Sequence, residues 1–338
     1  MGDRPPTYEP EPTALPLADP AGLRTLVPDT VLDGARYGPL TLRAASLRGD
    51  SARFRGEPRR DALLTARFGA GESALLLVAV ATGLRAAEGA HRAAHEVCEW
   101  IGGAVGRSQA RLAADLRAGS RAALRSGLHR LTARSLGRLR TRAAELGLDP
   151  DTYTASLRCL LLPADPACRT RVFFGAGAGG LFRLRDGAWQ DLEPPVREPR
   201  EPGEPRGTWE PKTPGTADRA EPDAAAAATS GGPAAGAADG RPADPDGAGH
   251  PAGGPAGDGP PDLDPFRFRA SVARPGDTLL LCSPGLAEPL RGEPALARAL
   301  GERWAGAEPP GLAGFLADAQ TRVKGYADDR TAAAVWEA

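Results

Sequence analysis

Four junctions where apolar or charged runs break into turns carry the residues whose chemistry can be named. Asp61 stands in Arg60-Asp61-Ala62, which opens a strand pair, and Asp328-Asp329-Arg330-Thr331 leads into the last apolar strand. The other two, Thr82-Gly83 and Ser283-Pro284-Gly285, end Leu-rich strands and carry no carboxylate. Strand ends brought together often make a site, and carboxylates there offer the anionic oxygen that hard divalent cations require. The plainer reading of Asp328-Asp329-Arg330 is a charged turn closing a strand, and that of Asp61 a turn-stabilising side chain.

Other candidates are weaker. His91 and His95 lie four apart on a predicted helix, a spacing that can place two imidazoles on one metal, but no third ligand accompanies them. Glu96 follows the second histidine, so the zinc-protease pattern is absent, and surface histidines are the better reading. Cys98, Cys159, Cys168 and Cys282 lack paired C-x-x-C spacing and read as buried thiols. From Arg107 to Gly147 ten arginines face only Asp115 and Glu145, with Arg130, Arg134, Arg138 and Arg142 at steps of four. A solvated helix face explains this stripe, as does an anion or partner surface. Basic residues are nearly all arginine, with only Lys212 and Lys324 as lysines, the bias of a GC-rich genome. Without interleaved aromatics or a recognisable module, nucleic acid is not an expected partner.

The elements that must position these residues occupy only part of the 338 residues. Residues 1–38 are Pro-rich and aperiodic, and read as a disordered tail. Residues 193–264 hold few large apolar side chains and carry 14 acidic against 6 basic residues. That segment cannot bury enough surface to offset its ordering entropy and reads as a disordered acidic insert. Its net charge of −8 leaves +7 on the rest of a chain whose total is −1. The longest apolar run, Ala74 to Ala81, is far too short to span a membrane, and no apolar segment lies behind a basic start; a cytoplasmic protein without membrane partners is expected.

That same run is a strand buried on both faces. Helical spacing covers about 88–105 and about 108–146, the second long enough for a single helix. Strands are predicted over 156–162, 170–174, 180–184 and 188–192, with Asp186-Gly187 as a hairpin turn. After the insert come strands over 266–272 and 277–282, helices over 294–305 and 311–323, and a strand over 331–336. This order suits an antiparallel sandwich flanked by helices, of the α+β class.

Arg48-Gly49, Gly56-Glu57-Pro58-Arg59-Arg60-Asp61-Ala62, the apolar strand into Thr82-Gly83, the run Asp277-Thr-Leu-Leu-Leu-Cys-Ser-Pro-Gly-Leu286 and Asp328-Asp-Arg-Thr331 together resemble the protein phosphatase 2C (PPM) family, in particular its bacterial members. The resemblance implies a four-layer αββα domain in two parts, 39–192 and 265–338, interrupted by the insert. It also implies a pair of Mg²⁺ or Mn²⁺ ions that activate water against a phosphoester, with carboxylates bridging the mutually repelling ions. On that pattern Asp61, Asp328 and the Gly83 carbonyl are residual metal positions. Thr82, Pro284 and Ala176 stand where the family has carboxylates. A hydroxyl cannot replace a bridging carboxylate and proline offers no ligand atom. The expectation is therefore no cofactor or weak Mn²⁺/Mg²⁺ binding, and a pseudophosphatase with a regulatory role that holds a phosphorylated protein or a protein kinase. An active serine/threonine phosphatase with a rearranged or single-metal site is the alternative. The family's phosphate-binding arginine corresponds to one of Arg53, Arg55, Arg59 and Arg60.

Overall fold

The computed structural model describes residue 8 and residues 13–194, 265–306 and 308–338. The segment read as an insert lies outside these residues, except for Glu193 and Pro194.

Two antiparallel sheets face each other. The first has the order β1-β2-β11-β10-β7-β8, from Thr30–Tyr37, Leu40–Leu47, Arg330–Glu337, Thr278–Cys282, Gly180–Arg185 and Ala188–Asp191. The second has the order β3-β4-β5-β6-β9, from Asp61–Phe68, Leu75–Gly83, Ala155–Pro163, Thr170–Ala176 and Arg267–Val272. Helices α2 (Ala90–Arg107), α3 (Gln109–Arg117) and α4 (Arg121–Leu146) share one apolar cluster with the second sheet. Helices α5 (Pro284–Gly292), α6 (Pro294–Trp304) and α7 (Leu312–Ala319) cover the first. A short helix, α1 (Asp50–Arg55), links β2 to β3.

The alternation of side chains along β4 shows why its sequence is apolar throughout. Leu75, Leu77, Ala79 and Ala81 belong to the helix-side core, while Leu76, Val78 and Val80 pack between the sheets. In β10, Leu280 and Cys282 face the helices while Leu279 and Leu281 face the other sheet. Each fully buried leucine contributes roughly 1.5–3 kcal/mol over its exposed state, so these central strands anchor the four layers.

Several expectations change. Residues 30–37, read as part of a disordered tail, form β1, an edge strand of the first sheet. Its half-exposed pattern lacks the continuous apolar run that marks the central strands. The stretch from 108 to 146 is two helices, because Gly119 adopts φ +65° and breaks the chain between α3 and α4. The Ser283-Pro284-Gly285 turn is the start of α5, with Pro284 at its first position, where a missing N–H costs nothing. Among the described residues, no helix is long and apolar enough to cross a membrane.

Candidate functional site at the sheet ends

The start of β3, the end of β4, the start of β11 and the end of β10 meet at one end of the sandwich. In register, Asp61 faces Thr82 across β3 and β4, and Thr82 faces Ser156 on β5. The cleft there has a volume of about 340 Å³, and its walls include Asp61, Thr82, Gly83, Pro284, Asp328 and Asp329. The junctions singled out in the sequence therefore converge.

Asp61 is 2 % exposed, and each of its carboxylate oxygens accepts from a hydroxyl: Oδ1 from Thr82 Oγ1 at 2.7 Å and Oδ2 from Thr331 Oγ1 at 2.8 Å. Thr331 Oγ1 also lies 2.7 Å from Ser46 Oγ, and the Thr331 backbone N–H donates to Ser283 Oγ at 2.9 Å. Burial, then the neighbouring Asp329 charge, raise the Asp61 pKa to about 7 against the pull of the Ser283, Thr82 and Thr331 hydroxyls. Asp329 is also buried, and one backbone donor reaches each of its oxygens: Gly49 N–H at 2.7 Å on Oδ1 and Arg60 N–H at 2.6 Å on Oδ2. Burial pushes its pKa upward as well.

Asp328 is satisfied differently. It pairs with Arg85, and Arg60 Nη2 stands 3.8 Å from its Oδ1. Glu288, on α5, adds a fourth acidic residue to the lining. Among the described residues, no three His, Cys, Asp or Glu side chains gather as a metal-ligand group. The carboxylate oxygens of Asp61 and Asp329 each already accept a hydrogen bond from a hydroxyl or a backbone N–H. With Thr82 and Pro284 bringing no carboxylate beside Asp61, this lining does not fit a pair of mutually repelling dications, which need bridging carboxylates.

Gly83 has a plainer reason to be glycine: a Cβ there would collide with the Ala90 carbonyl at the start of α2. Ala176 is not part of the cleft. Its side chain packs in the helix-side core, while Ala178, two residues on, lines the cleft. The run Gly175-Ala-Gly-Ala-Gly-Gly180 hides that offset in the sequence. The loop is held from beneath by Arg158, a buried β5 residue whose Nη1 donates to the Gly177 carbonyl at 3.0 Å and whose Nη2 pairs with Glu193.

Of the four arginines proposed near the phosphate, only Arg60 lines the cleft. Arg53 makes two hydrogen bonds to Asp29 and Arg55 two to Glu57, both away from the cleft walls. Arg59 is buried and donates to the backbone carbonyls of Asp61 and Ser46, at 3.0 and 2.7 Å. Sequence reasoning missed Arg85, and it singled out Ser283, Asp329 and Thr331 as members of the strand-end motifs without finding their hydrogen bonds. The only sequence signal for Arg85 was its position two residues beyond Gly83, on a loop after a central strand. His91 and His95 join no ligand group; His95 Nε2 lies 3.4 Å from Glu99. All four cysteines are free, three of them buried and Cys168 partly so.

A helix-flanked antiparallel sandwich with acidic residues at one sheet end is the four-layer arrangement that the sequence motifs implied. The family model for protein phosphatase 2C matches residues 48–319, and the chain belongs to that family. No curated protein matches the chain in sequence. Among solved structures, the serine/threonine phosphatase of S. agalactiae is similar at a TM-score of 0.50 and 13% identity, over 88% of this chain and 100% of that one. PppA, described as a key regulatory component of T6SS in Pseudomonas aeruginosa, is similar at 0.48 and 17% identity, over 90% and 100%. The PPM Ser-Thr phosphatase MsPP of Mycobacterium smegmatis, solved with cacodylate, gives 0.46 and 15%, over 88% and 98%.

Proposed function

We propose that this protein is a catalytically degenerate member of the protein phosphatase 2C family, with a regulatory role in which it engages a phosphorylated protein or a protein kinase. One observation carries the reading: Thr82 donates a hydrogen bond to Asp61, so a hydroxyl that fixes a carboxylate stands where the family mechanism needs a second carboxylate. Pro284 adds an apolar ring at another ligand position. Divalent ions are accordingly bound weakly or not at all, and hydrolysis by the two-metal route has no bridge to work through.

The test is calorimetric titration with Mn²⁺ combined with hydrolysis of a phosphopeptide. The expected result is absent or millimolar binding and no hydrolysis above background. Tight Mn²⁺ binding with turnover abolished by Asp328→Asn would overturn the reading. The paired change Thr82→Asp with Pro284→Asp returns carboxylates to the cleft, and regained Mn²⁺-dependent hydrolysis is the expected outcome.

A single-metal phosphatase is the second reading, favoured by the presence of Asp61, Asp328, Asp329 and Glu288 around one cleft. The same titration separates the two, because that enzyme needs one ion bound tightly.

A further inference from the structure

A second pocket lies beside the cleft and shares Asp328 with it, where the end of β2, helix α1 and the segment between α7 and β11 meet. Its volume is about 270 Å³, just under the roughly 300–1,000 Å³ of typical ligand pockets, which suits a small group rather than a whole cofactor. Four guanidinium groups line it, those of Arg48, Arg53, Arg322 and Arg330, with the carboxylates of Asp50 and Asp328.

The charges in this pocket do not balance. Asp29, behind the wall, pairs with Arg48 at 3.0 Å and with Arg53 at 2.5 Å. Asp50 pairs with Arg322 at 2.8 Å, and Asp328 pairs with the cleft arginines Arg85 and Arg60. Arg48 and Arg53 thus share one carboxylate, Arg322 has its own, and Arg330 has none among the described residues. Arg330 is 7 % exposed, and its two amino groups donate to the backbone carbonyls of Thr321 and Tyr326. Carbonyls satisfy N–H groups without cancelling a charge, and a guanidinium has five such donors to place. The Arg322 and Arg53 charges repel Arg330, while Asp50 attracts it. A buried cation held this way is costly unless an anion joins it.

We propose that this pocket is a binding site for a phosphoryl group, with Arg330 as its deep contact and Arg322, whose side chain is 41 % exposed, as its shallow one. A phosphoryl group carries about −1.5 to −2 charges at pH 7 and three acceptor oxygens. That matches the two charges left over, one on Arg330 and one on the pair sharing Asp29, whereas a carboxylate offsets only one. Guanidinium forks fit phosphoryl oxygens. Neither Arg330 nor Arg322 is among the arginines to which the family resemblance points, and neither lines the cleft. The site rests on the proposed function only for the source of the group, a phosphorylated partner.

Equilibrium dialysis of the full-length protein against radiolabelled inorganic phosphate tests the site. The unmodified protein should bind phosphate, and Arg322→Gln should weaken binding about fivefold, the upper end for a partly exposed charge. Asp50→Asn removes the competing carboxylate and should tighten binding by about the same factor, an opposite sign that a merely structural role does not produce. Arg330→Gln should weaken binding further, and because it empties a buried position the two shallower variants decide the outcome. Arg291→Gln, which removes a guanidinium of similar exposure outside the pocket, should change nothing. No phosphate binding by the unmodified protein, or binding unmoved by both Arg322→Gln and Asp50→Asn, would overturn the site. Acetate competing as well as phosphate would overturn its assignment to phosphoryl groups. A phosphothreonine peptide and its unphosphorylated form identify the source. Preference for the phosphorylated form that is lost with Arg322→Gln supports both the site and the partner. Preference that survives Arg322→Gln and Asp50→Asn overturns the site and keeps the partner. Phosphate binding with no preference between the peptides keeps the site and counts against the partner.

Discussion

The two ends of the sandwich treat buried carboxylates in opposite ways. At the end remote from the cleft, Glu337 receives both arms of the Arg171 guanidinium, at 2.5 and 2.8 Å, with both side chains almost wholly buried. Beside it, Asp277 receives Arg185 in the same two-armed fashion, at 2.5 Å on each oxygen. Burial works against ionisation of Asp277, yet the Arg185 hydrogen bond and the Arg274 backbone N–H hold its pKa below the ordinary value. At the cleft end, Asp61 and Asp329 are buried with hydroxyls and backbone N–H groups as their hydrogen-bond donors, and their pKa values rise. Forked guanidinium pairing is what a fold uses to keep a buried charge. Asp61 and Asp329 lack it, Arg60 Nε standing 3.9 Å from Asp329 Oδ2 without a hydrogen bond, and burial raises both pKa values.

The largest expected effect tests the remote end. Glu337→Ala strands the Arg171 guanidinium in the core and should cost about 3–5 kcal/mol of unfolding free energy by urea denaturation, the typical result of breaking one half of a buried pair. A loss under ~1 kcal/mol would show that the two ends are not distinguished by charge pairing.

At the cleft end the sensitivity is to pH. Asp61 keeps its proton in the folded protein over a range where the unfolded chain, near the ordinary pKa of 3.8, has released it. Its contribution to stability is therefore fully present below that value and is lost as pH rises toward about 7. Between those limits the loss is on the order of a few kcal/mol. Asp61→Asn, neutral throughout, should flatten the profile, leaving the slope of Asp329, whose shift has the same sign. An unchanged slope in chemical denaturation from pH 4 to 8 would count against the buried acidic pair.

A third effect is steric. Gly285, at the head of α5, lies so close to the turn before β11 that an added Cβ would run into the Asp329 carbonyl oxygen. Gly285→Ala should cost about 1–3 kcal/mol, the usual range for forcing extra atoms into packed structure. Thermal unfolding would register it, and no change would mean that α5 can slide away from the cleft.

The legibility of the sequence divides along the same line as the two ends. Central strands such as β4 and β10 were readable because burial on both faces demands an unbroken apolar run, and the motif residues at their ends followed. Edge strand β1 was not, since half-exposed residues of mixed polarity leave no pattern in Thr30–Tyr37. The break at Gly119 was missed because a leucine stripe passes across it in both helices. At the site, carboxylate losses at Thr82 and Pro284 could be read position by position, but the replacements could not. Thr82 becoming a donor to Asp61, or Arg85 reaching Asp328, depends on contacts between residues 21 and 243 positions apart.

The smallest effect concerns the arginines clustered before Asp61, which look alike in sequence and differ entirely in space. Arg55 and Glu57 form a two-armed pair at 2.6 and 2.9 Å, but both side chains are about two-fifths exposed. Water screens such a pair, so Arg55→Ala should change stability by less than ~0.5 kcal/mol in chemical denaturation. Arg53 is 18 % exposed, bonds Asp29 through both arms, and so ties α1 to the segment preceding β1. Arg53→Ala should therefore cost more, and equal losses would mean that burial does not rank these pairs. Neither arginine lines the cleft, so the two variants should leave the protein's Mn²⁺ titration unchanged. A change with either would extend the electrostatic reach of the cleft beyond Arg60 and Arg85.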